Sequence, residues 1–562
     1  MQVTPATEEP KRKPIWKIDL LIFLVLCLLA APARWSYSKG DFWFDEADYA
    51  QAAMQGFQAN RWDNASRIPI LAASDQWKLA QSQKMNPFAD EKGSVELRDL
   101  RAEGDKFADP KVQMMRLRHY HPPMISYIMA LARLRGASDR TLRMPFVFIG
   151  ALVVGMTYLC GLLLFREKRE IAVGVALMVL VTPMQIRAGA HAIPWAPITL
   201  NLLALLWTLL QFARSRRPLW ILGIAGVLGV LFTVSEIFLP AVVVVLCVTP
   251  LLLFPEIHDS DFRTQVVKYS CVGAVLMVLI AYVFWPSGLT GGTLTMLSHY
   301  MGVAGKVVDH ATLGGKFYER APRWAYFFWY WRDFRPYLVL YCVGFVGVPV
   351  LLSLRKMSRE VGVLVLYTLL FLGVAHKAHI IGPQYLAHCL PLMSLLTGLV
   401  IALVSEWKRP LGWVLMGASA LYIFSLKNPN MIEDSTSRIS RSPQAAEYLK
   451  AHLGYNDRIL IGTQQPTVLY WYLHEGEGIQ LEWNALMGLP PENERAEVMA
   501  RLKRGDFRFF ALANTFVPPR VSPEIQQILK GWRIVYQSQE QDGITPRFVL
   551  YEAPKKPIAV PR

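Results

Sequence analysis

The chain has 562 residues, of which 53% are hydrophobic and 18% are charged, whereas soluble globular proteins average roughly 45–50% apolar and about 25% charged residues. This composition is typical of a membrane protein and excludes an ordinary soluble enzyme. The formal net charge of +16 does not indicate nucleic-acid binding, because the basic residues cluster between apolar runs rather than on a polar domain.

About eleven segments are apolar and long enough, at roughly 17–25 residues, to cross a bilayer. They lie near residues 18–35, 143–165, 170–187, 193–213, 218–235, 237–254, 268–286, 336–354, 360–376, 383–405 and 411–427. The basic stretches between them, such as FREKRE, ARSRRP and SLRKMSRE, each follow an even number of crossings. The positive-inside rule therefore places these stretches in the cytoplasm. The long 36–142 loop, a loop near 287–335 and everything after 427 are then expected on the opposite side.

The first span has an alternative interpretation as a cleavable signal peptide, because KRK precedes its apolar core and APA follows it. Cleavage would leave the 36–142 loop on the same side of the membrane. All six cysteines lie in apolar segments without CxxC spacing, so they predict neither disulfides nor a zinc site.

The tail changes character after about residue 428. Charged amphipathic stretches alternate there with the short strand-like runs RILIGT, FRFFALAN, WRIVYQS and FVLYEA, which predicts a small α/β domain outside the membrane. The expected organisation is a cytoplasmic N-terminus at 1–17, a transmembrane domain at 18–428 and an extracytoplasmic domain at 429–562. No Gly-rich phosphate-binding motif occurs, so no nucleotide site is predicted.

An acidic stretch, FWFDEADYAQAA, follows the first span directly. If residues 41–49 form a helix, Asp41, Asp45 and Asp48 have i, i+4, i+7 spacing and share a face with Tyr49, whereas Glu46 points elsewhere. One interpretation is a solvated helical face; another is a set of hard oxygen ligands for a divalent cation. A third is a general base, because a carboxylate in a partly dry site has a raised pKa.

Two basic clusters fall on the same predicted side. The first runs from Arg116 through His119 and His121 to Arg143, and its Pro-Pro pair is expected to precede an amphipathic interfacial helix. The second is HKAHIIGPQYLAHCLPLM, with its basic residues His376, Lys377, His379 and His388 around a short turn. A single histidine of this kind is most simply a packing residue. One acidic and two basic clusters together indicate a site for an anionic, lipid-linked substrate.

The acidic stretch resembles the motif in the first external loop of the GT-C glycosyltransferases related to protein O-mannosyltransferases and the lipid A aminoarabinose transferase. HYHPPM and the later RMP resemble the Pro-Pro and Arg-x-Pro motifs that follow it in this family. The resemblance implies an α-helical polytopic GT-C fold, here with about eleven transmembrane helices and a small C-terminal α/β domain. It also implies inverting transfer of a sugar from a polyprenyl-phosphate donor to a lipid, glycan or protein, outside the bacterial inner membrane. No cofactor is implied, and the divalent cation stays an alternative.

Carried over by motif, Asp45 becomes the base or acceptor-orienting carboxylate, with Glu46 as its catalytic neighbour. His121 and Arg143 take the flanking positions, and Lys377 faces the donor phosphate, with His376, His379 or Arg143 assisting. The chain departs from the family twice. Gln384 stands before Tyr385 where an arginine is common, and the acid usual near the fourth span is replaced by Arg187, His191 and Trp195. Either these residues grip the phosphate differently, or the substrates differ.

Two other function classes fit a polytopic chain, namely a lipid or glycan transporter and a non-catalytic scaffold for envelope polysaccharide assembly. Charges concentrated at one membrane face, without paired interrupted spans, argue against the transporter. The ordered series of motifs argues against the scaffold.

Overall fold

The computed structural model describes most of the bundle and parts of its loops and tail. The residues described are 16–40, 42, 44–53, 67–71, 97–99, 112–116, 122–165, 168–286, 288–289, 311–313, 316–318, 344–347, 350, 358–377, 387–425, 442–452, 458–461, 467–473, 480–483, 500, 502–513, 523–537 and 548–554.

Most of the described helices of the bundle are apolar. They are α1 (Trp16–Tyr37), α2 (Phe44–Ala53), α3 (Met124–Arg133), α4 (Asp139–Phe165), α5 (Arg169–Val181), α6 (Pro183–Ala190), α7 (Trp195–Ser215), α8 (Trp220–Val234), α9 (Phe238–Leu253), α10 (Ser260–Phe284), α11 (Arg359–Lys377), α12 (Leu390–Trp407) and α13 (Arg409–Ser425). The helix expected after the Pro-Pro pair is present as α3, which starts directly after Pro123, and its place at the membrane interface stays a prediction.

Ten of the eleven predicted spans coincide with helices of this bundle, and the one near 336–354 lies mostly outside the described residues. By length and apolar character, five helices in the described part of the chain qualify to cross a membrane, and a sixth qualifies if α5 and α6 count as one bent span. These two helices meet at 66° across Thr182. The bend follows from Pro183, because the residue before a proline is driven out of the helical region, and Thr182 is indeed extended.

Helix α4 lies at the centre of the bundle, in contact with α1, α5, α6, α7 and α12. Small residues allow these close approaches. A Cβ atom on Gly150 of α4 would lie only 2.7 Å from the Cα of Gly189 in α6, at the point where the side chain of Arg34 passes between the two helices. At its other end, α1 is tied to the bundle by Asp19, which accepts hydrogen bonds from Arg169 and Tyr158.

In the described part of the tail, three helices and five strands have full bounds. The helices are α14 (Ser442–His452), α15 (Thr467–Leu473) and α16 (Pro523–Leu529), and the strands are β6 (Arg458–Ile461), β7 (Gln480–Trp483), β8 (Phe509–Ala513), β9 (Arg533–Gln537) and β10 (Phe548–Glu552). All four strand-like runs read from the sequence are confirmed as β6, β8, β9 and β10. Adjacent residues such as Phe509 and Phe510 belong to two different apolar clusters, so the sheet is covered on both faces.

Three strands of the long first loop join the same sheet. They are β1 (Arg67–Leu71), β2 (Leu97–Asp99) and β3 (Val112–Arg116), and the strand order is β2-β3-β1-β7-β6-β8-β10-β9. Parallel pairing joins β1 to β7, β7 to β6 and β6 to β8, and the other pairs are antiparallel. A separate hairpin is formed by β4 (Ala311–Leu313) and β5 (Lys316–Tyr318). The first loop and the tail therefore share one eight-stranded sheet.

The acidic stretch forms a helix, but not over the predicted range. Helix α2 begins at Phe44 rather than at residue 41, so Asp41 precedes it and lies outside the described residues. Helix α2 packs against α3 on one side and against α15 of the tail on another. We call this end of the bundle, where α1 ends and α4 begins, the sheet end.

Candidate active site

Glu46 of α2 lies at the centre of the described part of the site. Its side chain is fully buried, and both of its oxygens accept hydrogen bonds. Oε1 accepts from Arg143 Nε at 2.7 Å and from the backbone N–H of Ala192 at 2.7 Å, and Oε2 accepts from Arg143 Nη2 at 2.6 Å. His191 Nδ1 lies 3.4 Å from Oε2. Glu46 therefore joins α2 to α4 and to the turn between α6 and α7.

Arg143 also fixes the connection between α1 and α2. Its Nη1 donates to the carbonyl oxygens of Ser38 at 3.1 Å and Gly40 at 2.5 Å, and its guanidinium carbon lies 5.1 Å from the ring centroid of Phe42. The acidic segment is thus held by one guanidinium at two backbone carbonyls and one carboxylate.

The charges at this site have opposite consequences for two titrating groups. Burial by itself raises the pKa of the Glu46 carboxyl, but the Arg143 charge and its hydrogen bonds outweigh burial and hold that pKa well below its usual range. Burial lowers the pKa of the His191 imidazole, and Glu46 opposes this shift only in part. Glu46 is therefore an anion at neutral pH, and His191 is neutral.

A second carboxylate, Asp139, lies one helical turn before Arg143 on α4. It accepts hydrogen bonds from the Tyr472 hydroxyl and from Trp471 Nε1 at 3.3 Å, both in α15 of the tail. The same Tyr472 hydroxyl accepts a 2.7 Å hydrogen bond from the backbone N–H of Phe42. The sheet end of the bundle is thus bonded directly to the tail.

Other predicted residues surround this centre. Tyr49 is buried one turn further along α2, and Arg187 of α6 is half-buried with its guanidinium carbon 5.9 Å from the ring centroid of Trp195. His388 is buried at the start of α12, where its Nδ1 lies 2.9 Å from the Thr199 hydroxyl.

The structure brings together three of the residues singled out from the sequence, namely Glu46, Arg143 and His191. Arg187 lies near enough to His191 for its charge to act on that imidazole. Several others lie outside the described residues: Asp41, His119, His121, His379, Gln384 and Tyr385. For four more, the backbone is part of a helix but the side chain lies outside the description: Asp45, Asp48, His376 and Lys377. Their roles stay predictions.

Sequence reasoning missed Asp139, Trp471 and Tyr472. Asp139 carried one usable signal, since its i, i+4 spacing from Arg143 places both on one face of α4. The two aromatic residues carried none, because they lie more than 300 positions further along the chain. Among the residues that the structure describes, no group of three or more His, Cys, Asp or Glu side chains is placed to hold a metal ion.

Comparison with known proteins gives one family match and several similar folds. Residues 120–285 match the family described as dolichyl-phosphate-mannose-protein mannosyltransferase. No curated protein sequence matches the chain.

Three solved structures share the fold. ArnT from Cupriavidus metallidurans in the apo state has 11% identity and a TM-score of 0.57, over 96% of this chain and 99% of that chain. The same protein bound to undecaprenyl phosphate gives 10% identity and 0.58, over 96% and 99%. The Archaeoglobus fulgidus oligosaccharyltransferase in complex with Zn and sulfate gives 11% and 0.52, over 94% and 73%.

The fold is therefore that of the GT-C enzymes along nearly the whole chain. The family match falls on the stretch that contains both the Pro-Pro and the Arg-x-Pro motifs, and the Arg-x-Pro arginine bonds to the Asp-Glu motif. The chain therefore has the fold of the GT-C membrane glycosyltransferases, and its residues 120–285 match a glycosyltransferase family.

Proposed function

We propose that this glycosyltransferase moves a sugar from a polyprenyl-phosphate donor to an acceptor hydroxyl on a lipid, glycan or protein, with inversion. The similar ArnT structure bound to undecaprenyl phosphate supports a donor of this chemical class. We place the reaction at the extracytoplasmic face of the bacterial inner membrane, because the basic loops assign the sheet end to that side.

One observation carries the proposal. Two sequence motifs that define the resemblance, Asp45-Glu46 and Arg143-Met144-Pro145, lie 97 positions apart, yet Glu46 and Arg143 form a bidentate pair. The motifs therefore build one site. Because Glu46 contacts Arg143, the backbone of Ala192 and His191, the backbone of α2, to which Asp45 belongs, is fixed against α4 and the turn between α6 and α7.

The chemistry requires few groups. The acceptor oxygen attacks the anomeric carbon, Asp45 takes the hydroxyl proton, and the bond to the phosphate oxygen breaks, releasing polyprenyl phosphate. The phosphate is already a good leaving group, so a nearby positive charge suffices to stabilise it. We assign that role to Lys377, with His376 and His379 assisting.

The described contacts favour a supporting role for the remaining charged groups. Arg143 bonds to Glu46 and to two backbone carbonyls, so we propose that both residues act by holding α2 in place. Arg187 and His191 are the candidates for gripping the phosphate where the family acid is missing. The other proposed substrate contacts are Asp41, Asp48, Tyr49, His121, Gln384 and Tyr385.

The test is mass spectrometry of envelope glycolipids, glycans and glycoproteins from cells with the intact gene, without it, and with Asp45→Asn. A matched control is Asp261→Asn, which changes an exposed carboxylate in the first turn of α10. We expect one species to lose a single sugar in the deletion and in Asp45→Asn, and to keep it in Asp261→Asn. A profile that changes in the deletion but not in Asp45→Asn would contradict the mechanism and favour a scaffold or transporter.

A further inference from the structure

The tail domain touches the acidic segment at one well-defined place. Trp471 and Tyr472, both in α15, contact Phe42 and Asp139, which flank the Asp-Glu motif in space. The rings of Phe42 and Trp471 have their centroids 5.6 Å apart. This contact lies outside the groups that the proposed mechanism uses.

The Tyr472 hydroxyl is both a hydrogen-bond donor and a hydrogen-bond acceptor. It donates its proton to Asp139 and accepts the backbone N–H of Phe42 at 2.7 Å. A phenol engaged as donor and acceptor at once fixes the distance between its two partners, one on α4 and one just before α2. Trp471 Nε1 donates a hydrogen bond to the other carboxylate oxygen of Asp139, so both oxygens of this carboxylate are fixed.

The acidic segment is therefore hydrogen-bonded both to the helix bundle and to the tail domain. Arg143, in the bundle, donates hydrogen bonds to the carbonyl oxygens of Ser38 and Gly40. Tyr472, in the tail, accepts a hydrogen bond from the backbone N–H of Phe42. The tail contact acts two residues before α2 begins and three before Asp45. It meets the bundle through Asp139, one helical turn from Arg143, so both holds rest on the same face of α4.

We propose that the tail domain is a working part of the catalytic site, in which Tyr472 is a positioning residue that sets the backbone ahead of Asp45. This inference rests on the proposed function, because it requires a reacting carboxylate on α2. It gives the tail a role in catalysis rather than in partner binding alone. Tyr472 touches neither substrate nor reacting atoms and acts through Phe42.

The critical variant is Tyr472→Phe, which removes the hydroxyl and keeps the ring. Its matched control is Tyr448→Phe on α14, whose ring stacks on His452 of the same domain, away from the acidic segment. Two quantities are measured on the full-length protein: the glycosylated product in complemented deletion cells at equal protein abundance, and hydrogen exchange of the peptide spanning residues 38–53 in detergent.

We expect Tyr472→Phe to lower product formation about tenfold, since small misplacements of a catalytic group cost up to about 100-fold. Exchange in the 38–53 peptide should rise by about tenfold, which corresponds to the loss of one hydrogen bond. Tyr448→Phe should change neither quantity. If Tyr472→Phe fails to accumulate, Asp139→Ala tests the same hydrogen bond from its other side with the same expectations, because alanine removes both acceptor oxygens.

The results separate this inference from the proposed function. Normal product with Tyr472→Phe, or lost product with unchanged exchange in the 38–53 peptide, overturns the positioning role. If Asp45→Asn abolishes the product while Tyr472→Phe leaves it intact, the transferase mechanism stands and only the role of the tail is wrong. If Asp45→Asn keeps its product, the proposed function itself is wrong.

Discussion

The Glu46 carboxylate and the Arg143 guanidinium form a bidentate pair in which both side chains are removed from solvent, at 0% and 1% exposure. Burial makes each charge depend on the other. Burying an ion costs several kcal/mol, and only the partner and further hydrogen bonds offset that cost. The pair is therefore a fixed joint between α2 and α4 rather than a freely titrating acid.

Removing one partner of this joint should destabilise the protein strongly. We expect Arg143→Met to lower the free energy of unfolding by about 3–5 kcal/mol, because it leaves the Glu46 charge buried without its counterion. The double variant Glu46→Gln/Arg143→Met should lose less than the two single variants together. Thermal unfolding of the purified proteins in detergent, arranged as a double-mutant cycle, measures both effects.

The control for this cycle is a salt bridge at the surface. Arg504 and Asp506 pair with their side chains 56% and 27% exposed, so Arg504→Met should change stability by about 1 kcal/mol or less. Equal losses for Arg143→Met and Arg504→Met would show that Glu46 and Arg143 are not a buried joint.

The sequence predicts those elements that depend on interactions within one segment of the chain, and it misses those that depend on pairing between distant segments. A segment that crosses a bilayer must be a long apolar run, which is visible in the sequence. Ten of the eleven predicted spans therefore match helices. Strands β6, β8, β9 and β10 were readable because the tail alternates apolar strands with polar stretches. Strands β1 to β3 were not, because they are short and lie far apart in the first loop. They pair with one another, and only β1 reaches β7 of the tail, several hundred residues away.

In the candidate site, too, the local motifs were predictable from the sequence and the contacts between distant residues were not. The Asp-Glu and Arg-x-Pro motifs are recognisable in the chain, but the bond between Glu46 and Arg143 is set by helix packing. The start of α2 was placed too early, because the spacing of the acidic residues shows which of them share a helical face but not where the helix begins. The contact between Asp139 and Tyr472 joins two ends of the chain that carry no shared pattern.

Gly150 should not tolerate a side chain. An added Cβ would lie 2.7 Å from the Cα of Gly189 and 2.8 Å from Arg34 Nε, so the backbone of α6 must shift. We expect Gly150→Ala to cost about 1–3 kcal/mol of stability. Gly226→Ala on α8 is the control, since its nearest contact is an ordinary 3.8 Å from Leu276.

Thermal unfolding in detergent measures both glycine variants. Gly226→Ala should be neutral or stabilising by up to about 1 kcal/mol, because alanine is the better helix former. Equal stability of the two variants would mean that α4 and α6 are not in contact at Gly150.

Stability should depend on pH through His191. Burial lowers the pKa of its imidazole, so between that pKa and about 6.5 the unfolded chain binds a proton that the folded protein does not. The free energy of unfolding should therefore fall as the pH drops below about 6.5, by up to about 1.4 kcal/mol per pH unit. Glu46 contributes no change in this window, because its depressed pKa keeps it ionised.

The check is the unfolding temperature of wild type, His191→Gln and the exposed-site control His452→Gln between pH 7.5 and 5. His191→Gln should flatten the curve, and His452→Gln should leave its slope unchanged. A wild-type slope that survives His191→Gln would assign the acid sensitivity to another group.

Removal of divalent cations decides whether the acidic stretch supplies a general base or the ligands of a metal ion. If Asp45 is a general base and Lys377 faces the phosphate, transfer needs no bound cation, because a protein charge already stabilises the leaving group. If Asp41, Asp45 and Asp48 hold a cation instead, a chelator that competes with these oxygen ligands should remove it. The measurement is product formation in membranes that contain the enzyme and its own donor, with and without EDTA. We expect the product to persist in EDTA, while loss with EDTA and recovery with Mg²⁺ or Mn²⁺ would assign these carboxylates to a metal site and overturn the metal-free mechanism.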